Sequence, residues 1–208
     1  DADLEGAIAG GLFSAFVASG QTCVSGARFI VQEAIYEKFV EGMAARADAI
    51  EIGDPMADSP QMGPVISKAS QDRCQRMIAQ AKADGAIQVA GNAQINLPAP
   101  FDKGYFVRPT IFKDVSPDQE LFLEEVFGPV ISITPYKSET EALVLANTGT
   151  FGLGVSIWSR DIARAHRLSL GIREVVSCGS TIIIVTIHVL SGVVYGIVGL
   201  AKKMAGML

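Results

Sequence analysis

The hydrophobic positions of this chain follow two periods, one typical of helices and one typical of strands. From Asp3 to Gly20 apolar residues recur at helical spacing, which predicts a helix with Gly20 as its C-terminal stop. Further along, short β-branched runs alternate with longer amphipathic segments. The pattern predicts strands over residues 28–32, 87–91, 105–112, 130–135 and 154–159, and helices over residues 33–49, 67–84, 142–147 and 161–170.

Residues that begin or break elements refine this assignment. Ser67 can cap the helix that follows it, and Ser138 with Glu141 forms a capping-box pair. Pro109 lies inside a predicted strand, which indicates an edge strand or a bulge. Strands that alternate with helices predict an α/β fold, with a largely parallel sheet flanked by helices.

Composition and charge narrow the class of partner. The chain has 208 residues, of which 49% are hydrophobic and 19% charged, so it is a globular protein rather than a disordered one. Its formal net charge is -5 and it has no Lys/Arg-rich run. A basic surface for nucleic acid or anionic lipid is therefore not expected, and a small molecule is the favoured partner.

The cysteines and histidines predict neither disulfides nor a metal site. Cys23, Cys74 and Cys178 are too few for a disulfide framework and lack paired metal-ligand spacing, which favours a reducing compartment such as the cytoplasm. Cys74 falls within a helical pattern and is expected to be a packing residue. His166 and His188 are too far apart in sequence to suggest a metal centre.

Cys23 is the candidate nucleophile. It follows Gly20, Gln21 and Thr22 in a predicted turn between a helix and a strand, where a thiol can face a cleft. The alternative is that Cys23 is a small buried hydrophobic residue, which is the commoner role of an isolated cysteine.

Several short motifs occur in one order along most of the chain. They are DADLE at residues 1–5, GQTC at 20–23, GDP at 53–55, MGP at 62–64, GYF at 104–106, RPT at 108–110, EEVFGPV at 124–130, Asn147, and FGL at 151–153. In these motifs the chain resembles the aldehyde dehydrogenase superfamily from Asp1 to about Glu174, and their common order makes chance similarity a poor explanation.

The resemblance implies a cysteine-dependent oxidation of an aldehyde to a carboxylic acid, with NAD or NADP as the hydride acceptor. It implies that Cys23 forms a thiohemiacetal and then a thioester, and that the Cys23 amide helps to hold the oxyanion. In the family pattern Glu125 accepts hydrogen bonds from the nicotinamide ribose and Phe127 packs beside it. Without the family, Glu125 reads as a solvated turn carboxylate and Phe127 as a core aromatic residue.

Other parts of the family pattern do not occur in this sequence. The family carries its general base, an oxyanion-hole asparagine and its nucleotide-binding layers upstream of the cysteine. We therefore expect residues 1–176 to form part of a catalytic domain that lacks turnover by itself. The alternative is a non-catalytic fragment or an interaction module. Family members are dimers or tetramers, but the family's oligomerisation strands are not seen here, so assembly of this chain is an open expectation.

The C-terminal segment departs from the family in composition. Residues 175–201 contain no Asp, Glu, Lys or Arg. A one-base shift of the reading frame permits Trp-Val-Asn, Phe-Gly-Gly and Gly-Lys-Glu-Asp-Gly, which resemble the family's continuation. We therefore interpret residues 177–208 as a frame-shifted apolar tail. The alternative is a membrane anchor over residues 181–201, although its glycines and polar residues dilute the apolar run.

Overall fold

A six-stranded sheet forms the centre of this computed structural model, which describes residues 2–58, 60–150 and 154–172 and the backbone of residues 181–185. Every pair of neighbouring strands is parallel except β2 and β3. The predicted α/β fold is confirmed. The strands are β1 (Gly26–Gln32), β2 (Ile87–Ala90), β3 (Thr110–Lys113), β4 (Val130–Tyr136), β5 (Val155–Trp158) and β6 (Thr181–Val185), in the order β2-β3-β4-β1-β6-β5.

Helices cover both faces of the sheet. Capping side chains begin three of them, because Ser67, Ser138 and Asp161 each accept a hydrogen bond from a backbone amide three residues later. Half of the capping box predicted at Ser138 is present, since the Glu141 amide donates to the Ser138 hydroxyl at 3.2 Å, whereas the Glu141 carboxylate accepts at 2.8 Å from the amide of Lys137, one residue before the cap. The helices are α1 (Leu4–Phe16), α2 (Tyr36–Asp48), α3 (Lys68–Ala83), α4 (Glu120–Leu123), α5 (Glu139–Ala146) and α6 (Ile162–Gly171).

Alternation along the strands divides the core in two. Phe29 and Val31 of β1 pack with the buried residues of α1 and α2, whereas Ile30 packs on the opposite face with residues of α3 to α6. The same period of two places Ile111 and Phe112 of β3 on opposite faces. Burial on both faces explains why these strands are almost continuously hydrophobic.

The first helix ends earlier than the sequence pattern suggested. Helix α1 stops at Phe16, and a tight turn over Val17–Gly20 replaces the expected last helical turn. Ala18 and Ser19 in this turn have positive φ values. The sequence does not predict them, because neither residue is glycine.

The strand around Pro109 also differs from the expectation. Strand β3 begins at Thr110, and it lies between β2 and β4, so the prediction of an edge strand or bulge at Pro109 is wrong. The segment before β3 pairs outside the sheet, since the Tyr105 carbonyl accepts a hydrogen bond from the Val65 amide at 3.0 Å. Pro109 stands just before the first paired residue, where its missing N–H removes no ladder hydrogen bond.

Part of the predicted tail lies within the sheet. Strand β6 (Thr181–Val185) is parallel to both β1 and β5 and separates them. Residues 173–180 and 186–208 lie outside the described residues, so the frame-shifted tail and the boundary at residue 176 stay predictions. Among the residues that the structure describes, no helix is both long enough and apolar enough to cross a membrane.

We predict that Ser67→Ala lowers the free energy of unfolding by about 1 kcal/mol, because the Ser70 amide loses the hydroxyl that accepts its hydrogen bond at 3.1 Å. Urea unfolding of the 208-residue chain measures the change. Ser169→Ala is the control, since that hydroxyl donates within its own helix to the His166 carbonyl, and its effect is expected to stay below about 0.5 kcal/mol. Equal losses in the two variants would contradict the capping role.

Candidate active site

Parallel pairing of β1 and β4 brings the two candidate segments to the same edge of the sheet. Cys23 precedes the start of β1 at Gly26 by three residues, and Phe127 precedes the start of β4 at Val130 by three residues. The strands are adjacent and in register, with Arg28 opposite Ser132. Because neighbouring parallel strands lie about 4.8 Å apart, the segments before them must also be neighbours.

The cysteine turn, residues 18–25, presents the Cys23 thiol to solvent. Cys23 is exposed, so the alternative of a small buried hydrophobic residue is wrong. Thr22 and Ser25 close the turn beneath it through a 2.8 Å contact between their hydroxyls and a 3.0 Å hydrogen bond from the Ser25 amide to the Thr22 carbonyl. Within the described part of the chain, the Cys23 amide has no hydrogen-bond acceptor.

The backbone that leads to Cys23 is strained. Ala18, Ser19 and Gly20 are consecutive left-handed residues with φ values of 50°, 57° and 68°. For residues other than glycine this conformation costs about 1–2 kcal/mol each, so tertiary contacts must hold it. The Ser19 hydroxyl donates to the Gly63 carbonyl at 2.9 Å, and the Gln21 side-chain oxygen accepts from the Ile66 amide at 3.0 Å.

Gly20 packs directly on the segment that contains Glu125 and Phe127. A Cβ atom at Gly20 would lie 2.4 Å from the Gly128 carbonyl oxygen and 2.9 Å from the Pro129 nitrogen. Both of these are backbone atoms and cannot rotate away. A glycine is therefore required at residue 20 by close backbone approach as well as by its positive φ.

The Glu125 loop, residues 124–128, carries the two predicted cofactor contacts. Phe127 has a φ of 52° and is 37% exposed, so the alternative of a core aromatic residue is wrong. Glu125 is half-buried and engages another group. Arg73 of α3 holds the loop from the side, since Nε donates to the Val126 carbonyl at 2.6 Å and Nη2 to the Phe127 carbonyl at 3.2 Å. The cofactor roles of Glu125 and Phe127 stay predictions.

A buried cation lies at the base of the Glu125 loop. Arg28 of β1 is 6% exposed, donates from Nη1 to the Thr148 carbonyl at 2.7 Å, and lies 5.0 Å from the centre of the Phe122 ring. Burial lowers the pKa of Arg28 to about 10, which leaves it protonated at neutral pH. Because α4 ends at Leu123, this cation–π contact anchors the residues directly before the loop. Sequence reasoning treated Arg28 and Arg73 only as parts of a strand and a helix.

Cys74 and Trp158 both pack in the core of the domain. Cys74 is fully buried against Gly128, which confirms its packing role, and burial raises the pKa of its thiol to about 11. Trp158 ends β5 and packs against the core next to Gly10. Within the described ranges, no three His, Cys, Asp or Glu side chains converge as a metal site.

We expect iodoacetamide at pH 8 to alkylate Cys23 at least roughly a hundredfold faster than Cys74, because Cys23 is exposed in the folded chain whereas Cys74 is buried. Peptide mass mapping reports each cysteine separately, including Cys178. Denaturation in urea is the control, since it should remove the difference. Similar labelling rates in the folded chain would show that the thiol of Cys23 is not presented as described.

We predict that Gly20→Ala destabilises the fold by at least about 3 kcal/mol, because a Cβ atom there adds a clash with the Gly128 carbonyl to the cost of a positive φ. Gly85→Ala is the matched control: its φ is +88° and nothing lies within 4 Å of its added Cβ, so only about 1–2 kcal/mol is expected. Urea unfolding compares the two variants. Equal losses would rule out the contact between residues 20 and 128 as an energetic constraint.

Comparison with known proteins identifies relatives of this arrangement. The model of the aldehyde dehydrogenase family matches residues 1–186. Betaine aldehyde dehydrogenase of Brucella anthropi is 42% identical over 168 residues, which are 81% of this chain and 34% of that protein. The corresponding enzyme of Brucella ovis is 40% identical over the same length. The chain therefore spans about a third of the length of the curated relatives it matches.

Solved structures agree with the sequence relatives. A betaine aldehyde dehydrogenase from Staphylococcus aureus, solved as a point mutant with NAD+ and a BME-modified cysteine, superposes with a TM-score of 0.79 at 31% identity. The match covers 88% of this chain and 36% of that one. An aldehyde dehydrogenase from Bartonella henselae gives a TM-score of 0.77 at 35% identity, and the match covers 92% of this chain and 38% of the Bartonella chain. This chain belongs to the aldehyde dehydrogenase family.

Proposed function

We propose that this chain is part of an enzyme that oxidises an aldehyde to a carboxylic acid with NAD or NADP, and that Cys23 is its nucleophile. One observation carries the proposal: an exposed thiol stands on a strained turn that packs against the Glu125 loop. Strain held by surrounding contacts is a feature of functional sites. Cys74, by contrast, is buried and inaccessible to a substrate.

The chemistry assigned to Cys23 has three stages. Its thiolate forms a C–S bond to the aldehyde carbon, and the carbonyl oxygen becomes an alkoxide of the thiohemiacetal. Loss of hydride from that carbon leaves a thioester on Cys23. Water then adds to the thioester, the C–S bond breaks, and the carboxylic acid and the thiol are released. The Cys23 amide, which has no acceptor within the described part of the chain, is available to donate to the alkoxide.

The residues of the Glu125 loop fit a nicotinamide cofactor, which accepts the hydride when bound. Glu125 offers carboxylate oxygens that can accept from both hydroxyls of a ribose. Phe127 presents an exposed ring from the same loop, which provides an apolar surface beside the sugar. Solved relatives contain NAD+, which supports NAD as the first cofactor to test.

The remaining assignments are proposals about the whole enzyme. Betaine aldehyde is the first substrate to test, because the relatives are named for it. Cysteine usage supports a reducing, cytoplasmic location, and no described basic surface supports nucleic-acid binding. The enzyme is proposed to assemble as a homo-oligomer, as the family does, whereas the 208-residue chain is proposed to lack turnover because it spans about a third of its relatives.

We predict that Cys23→Ser in the intact enzyme that carries this segment lowers kcat by on the order of a thousandfold or more, because a serine hydroxyl is a far weaker nucleophile than a thiolate at neutral pH. NADH formation at 340 nm with betaine aldehyde and a panel of simple aldehydes measures it. Ser169→Ala, which lies outside the cysteine turn and the Glu125 loop, is the control and should keep turnover. The isolated 208-residue chain should form no NADH. Full activity of Cys23→Ser would refute the nucleophile assignment, and steady-state turnover by the isolated chain would refute its inactivity.

A further inference from the structure

We propose that Arg73 is a positioning residue, which holds the Glu125 loop in the conformation that binds the cofactor and thereby sets cofactor affinity. This inference rests on the proposed function. Arg73 lies on α3, outside every motif that carries the family resemblance, and it donates to two consecutive backbone carbonyls of the loop.

The geometry of these hydrogen bonds matches a guanidinium. Nε lies 2.6 Å from the Val126 oxygen and Nη2 lies 3.2 Å from the Phe127 oxygen. The two donors are fixed in one plane, so the two carbonyls must point toward the same side of the loop. A lysine ammonium at this position could not hold two carbonyls in a fixed relative orientation.

These two carbonyls define the unusual conformation of Phe127. The Val126 carbonyl belongs to the peptide before Phe127, and the Phe127 carbonyl belongs to the peptide after it. Phe127 has a φ of 52°, which an aromatic residue adopts only at an energetic cost. A return of Phe127 to an ordinary φ would rotate the preceding peptide and break the bond to Nε. Arg73 therefore stabilises the conformation that keeps the Phe127 ring at the surface and fixes the direction of the chain at Glu125.

The residue after Arg73 reinforces the same loop. A Cβ atom at Gly128 would lie 2.3 Å from the Cys74 sulfur, so α3 and Gly128 are in close contact. On its other side Gly128 contacts Gly20 of the cysteine turn. Helix α3 thus holds the loop by hydrogen bonds at residues 126 and 127 and by packing at residue 128, and the loop in turn abuts the turn that carries Cys23.

The rest of the loop is held by bonds that do not involve Arg73. The Gly128 carbonyl accepts from the Val130 amide at 2.8 Å, and the Pro129 carbonyl accepts from the Thr110 amide at 2.8 Å. These bonds belong to the start of β4 and to its neighbour β3. Loss of Arg73 should therefore loosen the loop without unfolding the sheet.

The chain offers a matched control on the same helix. Arg76 lies one helical turn further along α3 and pairs with Glu120 at 2.8 Å on the exposed surface, away from the loop carbonyls. Exposed ion pairs contribute little to stability. Arg76→Gln therefore removes the same charge from the same helix and leaves the Glu125 loop intact.

Hydrogen exchange on the 208-residue chain tests the positioning directly and needs no cofactor. For Arg73→Gln we expect the Val130 amide, whose acceptor is the Gly128 carbonyl at the end of the loop, to exchange roughly tenfold faster, because two charge-assisted hydrogen bonds that restrain the loop are lost. The Thr110 amide, which is bonded to the Pro129 carbonyl, should keep its rate. Arg76→Gln should leave these rates unchanged. Arg73→Lys, which keeps the charge and loses the planar fork, should give an intermediate increase and provides a second variant should Arg73→Gln fail to fold. Unchanged exchange in both Arg73 variants would overturn the proposal.

Steady-state kinetics of the intact enzyme test the consequence for cofactor binding. Arg73→Gln should raise KM for NAD+ roughly tenfold and leave KM for the aldehyde within about twofold, a split that general destabilisation would not produce. Glu125→Gln distinguishes a failure of the proposed cofactor role of the loop from a failure of the role of Arg73. If it leaves KM for NAD+ unchanged, the assignment of the loop to the cofactor fails. If it raises KM for NAD+ and Arg73→Gln behaves like Arg76→Gln, the role of Arg73 alone is overturned.

Discussion

The contact between Gly20 and the Gly128 carbonyl is the constraint on which the site depends. It follows from the parallel pairing of β1 and β4, which places the segments before both strands at one edge of the sheet. That pairing is fixed by burial on both faces, since a shift of one residue would exchange Phe29 and Ile30 between the two cores. The position of the Cys23 turn beside the Glu125 loop is thus a consequence of the same hydrophobic pattern that specifies the sheet.

The site combines strained backbone with stiff support. Left-handed conformations at Ala18, Ser19 and Phe127 each oppose folding, and none of these residues is glycine. Their cost is offset by hydrogen bonds with groups outside the strained segments, from the Ser19 hydroxyl to the Gly63 carbonyl and from the Arg73 guanidinium to the loop carbonyls. A turn held in this way favours a single conformation, which the proposed catalytic role requires for the positioning of reacting groups.

Hydrophobic periodicity was sufficient to predict most elements, the α/β class and the parallel sheet, because these depend on patterns within a few residues. It extended α1 into the turn at residues 17–20 and began β3 too early, because contacts with distant segments decide both: the Ser19 hydroxyl bonds to the Gly63 carbonyl, and the Tyr105 carbonyl accepts from the Val65 amide. Cys23 was found through a motif, and its exposure agrees with the expected role. Arg73 and Arg28 could not be found in that way, because each donates a hydrogen bond to a backbone carbonyl more than fifty residues away in sequence, at Val126 and Thr148 respectively.

The location of the site at the amino ends of the strands has a physical consequence. In open parallel sheets ligands usually bind beyond the carboxyl ends, where loops precede helix N-termini. Here the thiol and the Glu125 loop lie at the opposite edge, and α1 approaches with its C-terminal end. A helix C-terminus carries partial negative charge, so α1 gives no electrostatic help to a thiolate. In the proposed mechanism, stabilisation of negative charge at Cys23 would fall to amides such as that of Cys23 itself, in a turn whose backbone is held in place by its neighbours.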